Sequence, residues 1–295
     1  MTEQAVSTEE APAAKSNWAR LPISARAILS GLAVALVGVN LWAAMLISIG
    51  PGWALIPPAL LMLVLFVYWT SGRAWPDKTS VARAVVFRPI AMQPSQWIWS
   101  IGAALFFVVI VEAGLVVLFR IIPFPVETFR APYRETVGPL LGGSPILVWA
   151  IILCGALTAG ICEETGFRGY MQLPIERRHG PLIAILVSSA LFTVFHLNQA
   201  WAIPPMLPII FIAGALLGLL AWSSNSLIPG MIGHALMDVC NFAYWWTGYA
   251  GDFKARPIGE VGMDSGFLTA LALLFVSLLG FFFMLIRLRL TPRAA

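Results

Sequence analysis

The sequence predicts an all-α fold, a polytopic bundle of about eight transmembrane helices, and three observations carry that reading. Only 11% of the 295 residues are charged, where a soluble domain carries about 25%. Hydrophobic residues make up 59%, including 12 tryptophans and 18 phenylalanines. Apolar runs recur along the chain, each near the ~20 residues that cross a ~30 Å hydrocarbon core.

Taken in order, residues 1–16 (MTEQAVSTEEAPAAKS) are polar and rich in Ala, Glu and Thr, the composition of a disordered segment. A cytoplasmic tail is therefore expected over 1–26. No cleavage signature follows the first apolar run, so that run reads as a retained anchor. The expected spans are 27–49, 53–70, 97–119, 146–173, 181–199, 203–222, 228–247 and 266–286. Gly50, Pro51 and Gly52 mark the turn between the first two. One membrane domain, 27–290, accounts for the rest, because the connections leave no room for a soluble domain. Connections near 120–145 and 248–265 are the longest and have an interfacial composition. Tryptophans at span ends, among them Trp97, Trp99, Trp245 and Trp246, read as an interfacial belt. Cys154, Cys162 and Cys240 are an odd count within apolar runs, which is not a disulfide framework.

Orientation follows from the loop cations, since Lys and Arg accumulate on the cytoplasmic side. With the N-terminus inside, the inner segments hold 13 of the 18 Lys and Arg residues. The outer ones hold Arg120, Arg130, Arg134, Lys254 and Arg256. Both termini are thus expected in the cytoplasm. A net charge of +4 is modest, and no nucleic-acid partner is expected.

An ionisable group at bilayer depth costs several kcal/mol unless paired, so such groups mark function. Inside the spans these are Glu112, Glu163, Glu164, Arg168, His196, His234 and Asp238. Glu164 and Arg168 stand at i and i+4, share a helix face and can pair. Glu163 is rotated by about 100° from that face, which leaves this carboxylate for another task. Phe192 and His196 are again i and i+4. His234, Asp238 and Asn241 form one polar stripe at i, i+4 and i+7, pointing into a bundle rather than at lipid. Glu112 reads as an isolated packing or interfacial residue, and Asn198 and Asn241 as polar linings.

Depth joins these clusters. The segment RRHGP (177–181) is a turn, and Glu163 and His196 each lie about 16 residues from its centre, roughly 24 Å along antiparallel helices. A second turn near residue 225 puts His234 about 14 Å deep and Asp238 and Asn241 roughly 20–24 Å deep. Three helices can thereby bring Glu163, His196 and the His234 stripe to one pocket. A carboxylate beside a histidine there can take a proton from water and return it to a leaving group. A second histidine with a further polar group can hold a developing oxyanion. No G-x-S-x-G elbow supports a serine nucleophile.

With those residues in place, the chain resembles the family of CAAX prenyl proteases and bacteriocin-processing (Abi-like) proteins, which are glutamate-type intramembrane endopeptidases. The family carries E-E-x-x-x-R, F-x-x-x-H and H-x-x-x-N or H-x-x-x-D on membrane helices. In this chain these are Glu163 to Arg168, Phe192 to His196 and His234 to Asp238, within about residues 145–247. The resemblance implies that Glu163 activates the water and His196 helps hold it. It also implies that His234 and Asp238 stabilise the oxyanion, while Glu164 and Arg168 shape the site. This sequence uses the Asp option in the third motif, and a carboxylate donates to an oxyanion only when protonated; otherwise Asp238 orients His234.

The expected activity is therefore hydrolysis of a peptide bond near the bilayer, in a prokaryotic inner membrane. The expected substrate is a membrane-associated peptide: a C-terminal tail, a prenylated CAAX-type motif, or a leader or sorting peptide. No cofactor is expected. Zinc held by Glu163, His196 and His234 is the competing mechanism, although H-E-x-x-H spacing is lacking. Another class is a non-catalytic immunity or scaffold protein of the same fold. A proton-coupled transporter is a third, but related halves would mark it, and the polar residues cluster in the C-terminal half.

Overall fold

A computed structural model describes residues 17–72, 92–134, 137–141 and 143–292. Nine main helices organise these described residues, labelled in chain order. They are α1 (Ile23–Ile49), α2 (Ile56–Thr70), α3 (Pro94–Ile121) and α4 (Val126–Arg134), then α5 (Pro145–Glu164), α6 (Pro181–His196) and α7 (Leu207–Ser224). The last two are α8 (Ile228–Cys240) and α9 (Ser265–Leu290). α5 runs on through a π-wound stretch, Thr165–Gln172, into Leu173–His179. α8 likewise runs into a π-wound Asn241–Trp246.

All eight expected spans fall on helices. Among the described residues, six stretches are long and apolar enough to cross a membrane: Ile23–Ile49, Trp53–Thr70, Pro94–Ile121, Pro145–His179, Pro204–Ser224 and Ser265–Leu290. α6 is a shorter apolar helix, and α8 reaches its expected length only with its π continuation. The tail expected over 1–26 needs correction at its end. Residues 17–20 are helical and α1 starts at Ile23, because the apolar pattern begins at Leu21 and Pro22 supplies a helix start. Residues 1–16 lie outside the described residues.

Local chemistry fixes the turns. Gly180 takes φ 86° between α5 and α6, a left-handed value that glycine adopts without strain. Asn225 takes φ 52° between α7 and α8, and Asn is among the few non-glycine residues that visit this region routinely. Both turns sit where the sequence places them.

Small residues set the helix crossings, as expected where lipid removes the hydrophobic drive and close packing replaces it. Gly160 of α5 lies under α8, where a Cβ would come 2.9 Å from the Met231 carbonyl. Gly31 of α1 and Gly166 of the π stretch face each other so closely that a Cβ on Gly31 would stand 2.7 Å from the Gly166 carbonyl oxygen. Gly280 of α9 lies against the Phe106 ring of α3. α8 is thereby central, between α5 and α3. The outer face is apolar, with Leu61 and Val64 on α2 and Phe275, Leu279 and Phe283 on α9 exposed to the surroundings. This is an integral membrane protein.

Two ion pairs pin the connections at one end of the bundle. Arg120, buried at the end of α3, donates to both oxygens of Asp264 at 2.9 Å, and Asp264 also accepts from the Phe267 backbone N–H at the start of α9. Arg130 of α4 pairs with Asp252 at 2.5 Å. Each arginine holds its carboxyl below the ordinary carboxylate range, first by hydrogen bonding to it.

Candidate active site

The structure brings the sequence-selected residues together around one cavity of about 170 Å³. Glu163, His196, His234, Asp238 and Asn241 line it, with Phe192 beside them. Glu163 Oε2 lies 3.8 Å from His196 Nε2 and 3.9 Å from His234 Nε2. It has no hydrogen-bond partner among the described residues, although Glu163 is only 5% exposed. Those gaps are too long for direct hydrogen bonds and fit a water between the groups.

Both imidazoles are oriented from behind. His196 Nδ1 stands 2.8 Å from the Phe192 carbonyl oxygen. A carbonyl only accepts, so Nδ1 carries a proton and Nε2 is the ring nitrogen turned toward Glu163, with a lone pair there whenever the ring is neutral. His234 Nδ1 stands 3.0 Å from Glu164 Oε1, which leaves Nε2 facing Glu163 and, at 3.7 Å, Asp238 Oδ2. Asn241, one turn beyond Asp238, lines the same cavity.

Glu164 is the hinge of the arrangement. The same Oε1 that meets His234 lies 3.0 Å from Arg168 Nη1, and both side chains of that ion pair are almost wholly buried. Arg168 Nη2 donates to the Gly214 carbonyl at 2.9 Å. Gln172, one turn on, donates to the Gly218 carbonyl at 3.0 Å. An R-x-x-x-Q face therefore zips the end of α5 to a G-x-x-x-G face of α7, where missing side chains leave the carbonyls accessible. Arg168 also lies over the Phe192 ring, 4.5 Å from its centroid, in cation–π range.

The two glutamates divide as their helix positions suggest: Glu164 pairs with Arg168 and Glu163 turns to His196. The Glu164–His234 contact comes from the structure alone. It joins residues 70 apart, and no spacing rule within one helix announces it. Arg168 leaves the cytoplasmic loop count, because it is buried at 0% exposure in the bundle.

Four further expectations change. Trp245 and Trp246 are buried, at 1% and 7% exposure, and do not form an interfacial belt. Trp245 Nε1 donates to Glu112 Oε2 at 2.9 Å, so Glu112 is not isolated. Trp246 stacks between Tyr133 and Trp201, with centroids 5.8 and 5.1 Å away. Trp201 in turn packs its ring 5.5 Å from the His196 ring. Asn198 is exposed, and Gln199 lines the cavity in its place.

A second cavity, about 260 Å³, adjoins the first and shares Trp42, Tyr133, Gly155, Gln199 and Phe242 with it. Among the described residues no three His, Cys, Asp or Glu side chains are grouped as a metal centre would hold them.

Comparison with known proteins points the same way. Residues 145–240 match the family described as Type II CAAX prenyl endopeptidase Rce1-like. Over this segment the chain is similar to that family. The match begins with α5 and ends with α8, so it contains all three motifs and the helices that carry them. No curated protein and no solved structure matches the chain. The family is one of proteases, and the buried polar cluster lies within the matched segment except for Asn241, one residue beyond it.

Proposed function

We propose that this protein is an intramembrane endopeptidase that hydrolyses a peptide bond with a water activated by Glu163. One observation carries the reading: a buried carboxylate oxygen, unpartnered among the described residues, faces the Nε2 atoms of two histidines, at 3.8 and 3.9 Å, on a cavity wall.

The steps follow from the geometry. A water between Glu163 and His196 gives its proton to Glu163 while its oxygen attacks the carbonyl carbon of the bound peptide. His196 accepts the water's other hydrogen through Nε2 and aims the oxygen lone pair. Negative charge then develops on the former carbonyl oxygen. His234 as the imidazolium donates to it from Nε2, with Asp238 donating if protonated or else orienting His234. Glu163 returns its proton to the amide nitrogen, the C–N bond breaks, and the enzyme is restored without a covalent intermediate. Glu164 and Arg168 fix His234 and never touch substrate. Removal of a positioned general base costs about 10²–10⁴ in rate, so Glu163→Gln is expected to abolish processing while the protein still folds.

Its substrate in this reading is a membrane-associated peptide or protein, and both termini of the enzyme face the cytoplasm. The membrane peptidome of wild type is compared with that of a Glu163→Gln strain at equal membrane levels. Peptides that lose their processed form support the proposal, and identical peptidomes overturn it in favour of a non-catalytic scaffold.

A further inference from the structure

We propose that the cavity is entered from the non-cytoplasmic face of the membrane, so that the substrate is an exported polypeptide presenting its cleavable segment there. This rests on the peptidase reading above and adds the side of entry. Charge, lining and depth each support it.

The first is the charge at the two ends of the bundle. Ser24 Oγ and His179 Nε2 lie 2.9 Å apart, so the start of α1 meets the end of the α5 helix. The bonds from Arg168 and Gln172 to α7 keep α5 and α7 parallel, which brings Ser224 to the same end. Arg289 of α9 lies over the Trp222 ring at 3.5 Å, completing that end. It gathers Arg20, Arg26, Arg177, Arg178, Arg287 and Arg289, against Glu176 as its acid among the described residues. The loop between α2 and α3 adds Arg73, Lys78, Arg83 and Arg88 in the sequence, whereas the opposite end holds Arg120, Arg130, Arg134, Lys254 and Arg256, the first three seated on Asp264, Asp252 and Glu127. An excess of Lys and Arg marks the cytoplasmic side, so the first end is cytoplasmic.

The second is where the cavity wall comes from. Phe129 and Tyr133 of α4, Gln199 and Trp201 of the α6–α7 connection, Met206 and Trp246 line it. Every one of these belongs to a connection or helix terminus at the non-cytoplasmic end.

The third is depth. α6 has 16 residues, about 24 Å at ~1.5 Å per residue, so it stops some 6 Å short of a ~30 Å hydrocarbon core. His196 is its last residue. The connection that follows folds back over it, with Trp201 against the imidazole and Gln199 exposed above. A short helix therefore leaves a vestibule on that side, ending at the candidate catalytic histidine.

Single cysteines at Gln199 and Ala200 test this, with a membrane-impermeant maleimide applied to spheroplasts before and after permeabilisation. Wild type supplies the background from Cys154, Cys162 and Cys240, and Arg178→Cys reports the opposite face. Gln199→Cys and Ala200→Cys are expected to label equally before and after permeabilisation, and Arg178→Cys only afterwards. The reverse pattern overturns the proposal and makes the substrate a cytoplasmic peptide. Absence of labelling at both mouth positions under either condition overturns it too, since no mouth would then exist. Labelling needs no catalysis, so a failed peptidase reading shows separately, as an unchanged peptidome.

Discussion

Glu164→Gln separates the two adjacent glutamates by stability rather than by activity. In the wild type one oxygen of Glu164 lies 3.0 Å from both Arg168 Nη1 and His234 Nδ1. The amide keeps an acceptor for His234 and nearly the same volume, but it removes the carboxylate charge paired with a guanidinium of 0% exposure. Breaking a buried pair by losing one partner costs about 3–5 kcal/mol, mostly as the uncompensated charge left behind. At about 2–4 °C per kcal/mol for a chain approaching this size, the unfolding midpoint falls by roughly 10 °C. Glu163 holds no comparable partner among the described residues, so Glu163→Gln leaves the midpoint within about 2 °C of wild type. The assay is thermal unfolding of purified protein in one detergent, followed by intrinsic tryptophan fluorescence. Arg168→Met added to Glu164→Gln is expected to recover part of the loss, because it removes the buried guanidinium that the first change leaves uncompensated. Equal midpoints for Glu163→Gln and Glu164→Gln would refute the division of labour between the two carboxylates.

Three further outcomes are expected. Gly31→Ala puts a Cβ 2.6 Å from Met171 Cβ and 2.7 Å from the Gly166 carbonyl, and such overpacking costs about 1–3 kcal/mol; Gly114→Ala, with nothing within 4 Å, serves as the control that keeps its midpoint. The Arg120 guanidinium holds the Asp264 carboxyl below the ordinary carboxylate range, so its stabilisation is fully present above an unfolded pKa of about 3.9 and disappears as pH falls through the lower folded value. Asp264→Asn accordingly lowers the midpoint at neutral pH and flattens its acid limb, which a pH series of melts reads directly. Trp201→Ala removes the ring beside His196 at the vestibule, and an aromatic contact of about 0.5–1.5 kcal/mol converts to a loss of up to about tenfold in kcat/KM, measured on whichever peptide the peptidome comparison yields.

What the sequence makes legible, and what it hides, divides along physical lines. The spans are readable because crossing a bilayer demands apolar length, and the pairing of Glu164 with Arg168 is readable because i and i+4 share a face. Glu163 and His196 can be levelled because a short turn at Gly180 forces an antiparallel hairpin. Contacts between distant helices are another matter. Nothing in HALMDVC says which carboxylate His234 Nδ1 will meet, since that depends on the rotation of α8 against α5, set by Gly160. The π-wound stretches 165–172 and 241–246 leave no compositional trace, because a π turn differs from an α turn by its hydrogen-bond register rather than its residue types. Trp245 and Trp246 mislead for a related reason: tryptophan near a span end suits an interface, but Glu112 and Tyr133 supply internal partners that only the packed bundle reveals.

Incubation of isolated membranes in heavy-oxygen water tests the central claim most directly. Hydrolysis by an activated water puts the heavy oxygen into each newly formed peptide C-terminus. Wild-type membranes are predicted to yield labelled C-termini that are missing from Glu163→Gln membranes holding the same amount of folded protein. If the variant releases the same labelled peptides at the wild-type rate, Glu163 is not the base, and water activation by this carboxylate is contradicted.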